Sequence, residues 1–63
     1  MEFRELFSII DVTENIIIIN KNKDIVHNNI SVLYLKKIDI LLDESKVIKI
    51  MVRNDKIHVM LDI

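Results

Sequence analysis

Residues 47–63, VIKIMVRNDKIHVMLDI, alternate apolar and polar side chains on both sides of an asparagine–aspartate pair. Ile48, Ile50 and Val52 alternate with Lys49, Met51 and Arg53; Ile57, Val59, Leu61 and Ile63 alternate with His58, Met60 and Asp62. A period of two marks a half-buried strand, and Asn-Asp is turn chemistry. The stretch therefore predicts strands at 47–53 and 57–63 joined as a hairpin. A two-residue turn at Asn54-Asp55 would set Val52 against Ile57, Ile50 against Val59 and Ile48 against Leu61. All the apolar partners then share one face. The same register opposes Arg53 to Lys56, a like-charge pair that favours widening the turn to four residues. Either turn preserves the facing.

Working upstream, KIDILLDES at 37–45 repeats the alternation, with Ile38, Ile40 and Leu42 against Asp39, Leu41 and Asp43. A strand over 38–43 and a three-residue loop would place Leu42 against Ile48 and Ile40 against Ile50, making a three-stranded meander. A helix competes for this region. In NISVLYLKKIDILLDES, residues 29–45, Ile30, Leu33, Tyr34, Ile38, Leu41 and Leu42 fall at helical spacing, with Asn29 or Ser31 as a cap. That helix leaves Val32, Leu35 and Ile40 off its stripe, and the β-branched content favours strands.

In the first half, NIIIIN at 15–20 predicts a strand over 16–20 that wants cover on both faces, because alternate residues point to opposite sides. KNKD follows as a turn, then strands at 24–28 and 31–35 with a kink near Asn28-Asn29. Phe3, Leu6, Phe7 and Ile10 stand at i, i+3, i+4 and i+7, which predicts a short helix over 2–10. The expected fold is a mainly β, single small domain. It is a small antiparallel meander or an SH3-like, partly open barrel with a short N-terminal helix, the alternative being α+β with a helix at about 30–43.

Composition narrows the function. A chain of 63 residues is one domain, and at about this size only about 60% of the unfolded surface is buried, so partners or staples add needed stability. No cysteine is present, which removes disulfides and thiolate metal sites and suits a reducing compartment. The 51% hydrophobic content argues against disorder. No apolar run approaches the roughly 18 residues of a membrane span. The acidic start, MEFRELFSII, lacks the basic region of a signal peptide. A cytoplasmic protein is expected. Glycine, proline and alanine are all missing, so turns must rest on Asn, Asp and Ser, and glycine-rich phosphate loops are excluded. Abundant Ile, Lys and Asn match the coding bias of an AT-rich microbial or phage genome.

Net charge is −1, and Lys plus Arg stand against Asp plus Glu as 3 to 5 in residues 1–31 and 6 to 5 in residues 32–63. Neither half is a strong phosphate-neutralising patch. A nucleic-acid face would have to gather Lys36, Lys37, Lys46, Lys49, Arg53 and Lys56. Candidate chemistry is sparse. His27 and His58 are expected at the surface, Ser8, Ser31 and Ser45 lack a nucleophile-elbow context, and Asp39, Asp43, Glu44 and Asp62 read as a solvated face rather than a cation site. No catalytic residue, cofactor or metal is expected.

Met51 and Met60 stand out as adaptable apolar residues on a face that should be wet, flanked by Lys49, Arg53 and His58. Together with Ile17, Ile19 and Ile63 they form the expected interface. The expected function is that of a small non-enzymatic protein-binding module or regulator. It would act by protein–protein contact and self-associate as a homodimer or larger homo-oligomer, with an unidentified protein partner. The alternative is an SH3-like nucleic-acid-binding protein using the basic residues named above.

Overall fold

The computed structural model describes every residue except Val12, and of Phe7 the backbone alone. Four strands form one sheet: β1 (Asn15–Ile19), β2 (Ile25–Ser31), β3 (Val47–Arg53) and β4 (Lys56–Leu61). Their order is β2-β1-β4-β3, with β1 antiparallel to β2 but parallel to β4, and β3 antiparallel to β4. The protein is mainly β, as expected, and its mixed sheet stays open rather than closing into a barrel.

The hairpin forms on the two-residue turn. Asn54 and Asp55 have φ of 52° and 61°, the paired left-handed geometry of a type I′ turn, which short polar side chains tolerate best after glycine. Val52 pairs with Ile57 and Ile50 with Val59, and Arg53 opposes Lys56 without widening the turn. One pairing differs. The register slips between Val47 and Lys49, so Leu61 faces Val47 and Ile48 becomes the extra residue of a β-bulge.

Strands expected at 31–35 and 38–43 are helices instead. Residues Val32–Ile38 form α1, capped by Ser31, whose Oγ accepts from the Tyr34 N–H at 3.1 Å. The chain breaks at Asp39 and continues as a 3-10 helix, η2, over Ile40–Glu44. Topology supplies the reason: β2 and β3 are opposite edges of the sheet, and the chain between them must cross one face. Residues arching over a sheet must satisfy their own backbone bonds, which helices do and an isolated strand does not. Only part of the stripe that helical spacing singled out is buried. Leu42 lies in the core and Ile30 packs against it, while Leu33, Tyr34, Ile38 and Leu41 are exposed. Val32 and Leu35, read as off the stripe, are fully buried.

The expected N-terminal helix is a shorter 3-10 helix, η1 (Phe3–Ser8), with three residues per turn, which stacks Phe3 over Leu6. Both are fully buried; the Phe7 side chain, expected on the same face, lies outside the described residues. The single strand β2 replaces the strand expected at 24–28 and runs on through the Asn28-Asn29 kink. There Asn29 has φ of 51° and the pairing with β1 shifts register.

These placements give the four isoleucines their cover. Ile16 and Ile18 lie under the helices in a core with Phe3, Leu6, Val32, Leu35, Leu42, Val59 and Leu61. Ile17 and Ile19 form a smaller cluster on the opposite face with Met60, against which Met51 packs. Each fully buried aliphatic side chain contributes about 1.5–3 kcal/mol, and β1, interior and covered twice, is the strand on which both clusters depend. No helix among the described residues is long and apolar enough to cross a membrane.

Candidate functional site

Two features of the sheet remain open after folding, and each follows from the crossover. The first is the outer edge of β3. Residues 38–43, expected as a strand beside β3, are drawn over the helical face, so β3 is left as an edge. Only its start is paired. Glu2 bridges Lys46, the Val47 N–H donates to the Met1 carbonyl at 2.7 Å, and the Phe3 N–H donates to that of Ser45 at 2.8 Å. Beyond Val47 no strand among the described residues lies alongside, and Ile48, Ile50 and Val52 are all exposed, Val52 by 69%. Ile50 and Val52 share the helical face through their partners Val59 and Ile57, but they stand on the strand farthest from α1 and β2. Neither belongs to the core beneath the helices.

The opposite edge is different. β2 carries two register irregularities, a left-handed Asn29 and the asparagine pair, devices that twist an edge away from further pairing. β3 runs regularly from Lys49 to Arg53.

The second feature is a cleft of about 210 Å³ on the face without helices. Ile25 of β2, Ile19 of β1, His58 of β4, and Met51 and Arg53 of β3 line it, with Lys23 from the β1–β2 turn. The turn holds Lys23 in place: Asn20 Oδ1 accepts from the Asn22 and Asp24 N–H groups at 2.9 Å, and Lys23 takes φ of 69°. Of the lining residues Ile19, Ile25 and Met51 are apolar, Lys23 and Arg53 are cationic, and none is a carboxylate.

The expected interface residues divide. Ile17, Ile19 and Met60 are brought together but already buried, Ile17 and Ile19 being only 6% exposed. Met51 is half-buried and lines the cleft, and Ile63 is exposed beyond the end of β4. The residues that offer apolar surface along the β3 edge, Ile48, Ile50 and Val52, were expected in the core. The signal that finds them is the Ser31 cap: once it starts a helix, no third strand can cover β3.

The basic residues also divide. Lys49, Arg53 and Lys56 share the cleft face by register, Lys36 and Lys37 end α1, and Lys46 bridges Glu2. Each histidine has a structural partner. His27 Nε2 lies 3.0 Å from Asp39 Oδ2, tying β2 to the end of α1, and His58 Nδ1 lies 3.1 Å from the Lys56 carbonyl. Asp62 pairs with Lys21 at 3.7 Å, and Asp43 and Glu44 sit on η2 rather than on a strand face. Among the described residues, no group of three or more His, Asp or Glu is placed to hold a metal ion. No family model matches the chain, no curated protein matches it, and no solved structure matches it.

Proposed function

We propose that the protein is a non-enzymatic binding module that works by contact with other protein chains, a second copy of itself included. The observation that carries this reading is the open edge of β3 with Ile48, Ile50 and Val52 exposed along it. An unpaired edge offers a row of N–H and C=O groups to an incoming strand. Main-chain hydrogen bonds then supply affinity, and alternate side chains supply selectivity. Two edges of the same chain can join about a two-fold axis, the commonest form of self-association. The proposed setting is the cytoplasm, where a chain without cysteine loses nothing to a reducing environment.

Sedimentation equilibrium across the micromolar range tests it. The wild type should associate, and Ile50→Lys with Val52→Lys, which places charges on exposed positions of the edge, should weaken that association at least tenfold while leaving the fold intact. Equal association of wild type and double variant would refute the edge as the contact.

A second reading, nucleic-acid binding, draws support from the shared facing of Lys49, Arg53 and Lys56. It requires binding to a mixed oligonucleotide pool at low salt that falls steeply as salt rises.

A further inference from the structure

The cleft on the sheet's open face is smaller than the roughly 300 Å³ at which small-molecule sites begin, so it suits one or two inserted side chains better than a whole metabolite. Its apolar Ile19, Ile25 and Met51 ask for an apolar group, and its cationic Lys23 and Arg53 ask for a negative one beside it.

The surface of the same chain carries such a pair. Leu41 is 83% exposed, more than any other large apolar side chain among the described residues. It sits on η2, a 3-10 helix, where residues three apart stack on one line. Leu41 and Glu44 therefore present an aliphatic and a carboxylate group side by side, with exposed Ile40 next to them. Ile40, Leu41 and Glu44 line a shallow hollow together with Asp43 and with Arg4, whose guanidinium is bound to Glu2 at 2.8 Å.

We infer that the open-face cleft of one copy receives the Leu41–Glu44 projection of a second copy. Leu41 would lie against Ile19, Ile25 and Met51 with Glu44 against Arg53 and Lys23. The two surfaces belong to different sides of the sheet, since η2 packs on the helical face through Leu42 and the cleft opens on the other. The contact is therefore head to tail. It leaves a free projection on one copy and a free cleft on the other, so it propagates unless it closes into a ring. This inference rests on the self-association reading but uses a surface separate from the β3 edge.

The test uses the full chain with the edge already blocked by Ile50→Lys and Val52→Lys, so that failure of the edge reading cannot be mistaken for failure of this one. In that background, sedimentation velocity should still show association that grows past a dimer and weakens as salt rises. Adding Leu41→Lys or Arg53→Glu, both at exposed positions, should each weaken it at least tenfold. An equimolar mixture of those two variants should recover association that stops at a dimer, because one retains only a cleft and the other only a projection. Glu44→Lys and Lys23→Glu serve as replacements if circular dichroism shows either variant unfolded. A background variant that stays monomeric at every concentration would overturn the inference, as would unchanged association in the single variants or a mixture that forms no complex.

Discussion

Asn54 and Asp55 carry the hairpin turn at positive φ, and Lys23 and Asn29 adopt the same left-handed region elsewhere. A chain without glycine must place side chains at these positions, at a cost of roughly 1–2 kcal/mol each that is smaller for Asn and Asp. Lys23 lacks their short polar side chain. Lys23→Gly is therefore expected to raise stability by about 1 kcal/mol and Asp55→Gly by less. Urea denaturation checks both, and a lowered midpoint for Lys23→Gly would contradict the assigned geometry. Asp11 offers a titration. Its carboxylate accepts the Thr13 N–H at 2.9 Å and the Thr13 hydroxyl at 2.8 Å, bonds that hold its pKa below the ordinary 3.8 despite a small opposing effect of burial. A depressed carboxylate adds stability above its unfolded pKa and loses it as pH falls through the folded one. The NMR midpoint of Asp11 should thus lie below 3.8, and Thr13→Val should move it upward.

At the scale of elements, the hairpin was legible because alternation and turn chemistry agreed, and its two central pairings, Val52 with Ile57 and Ile50 with Val59, are those of the structure. What alternation could not convey is which strand lies inside. Val59 and Val52 have the same facing, yet Val59 is fully buried on interior β4 and Val52 is mostly exposed on the edge. Val59→Asp should abolish folding, since an unpaired buried charge costs several kcal/mol, while Val52→Asp should leave the circular dichroism spectrum of the wild type. Residues 30–43 were ambiguous for a physical reason. Ile and Leu at nearly every second position satisfy both periods over a short run, and the arbiter, a crossover between opposite edges, is a property of the whole sheet. The parallel pairing of β1 with β4 was hidden likewise, because NIIIIN specifies burial on both faces but not a neighbour. The candidate contact surface shifted for the same cause. Ile17 and Ile19 are enclosed by Met60 and Met51 within one copy, and the apolar surface left open on the sheet edge is that of Ile48, Ile50 and Val52.

For the whole molecule, one face of the sheet is closed by three short helices and the other by its own side chains, leaving the β3 edge as the regular unpaired backbone. Exposed apolar residues along an open edge are what soluble chains ordinarily guard against with charge, proline or bulges. Here the bulge guards only the first residues of β3, where Met1 pairs with Val47 and Phe3 with Ser45 just before the strand. The most direct measurement of the central claim is amide hydrogen exchange, residue by residue, as protein concentration is raised through the association range. Amides of residues 48–53 that point away from β4 should exchange freely in dilute solution and become protected as copies or partner strands join the edge. Association that leaves those amides equally exposed would contradict the assignment of β3 as the contact.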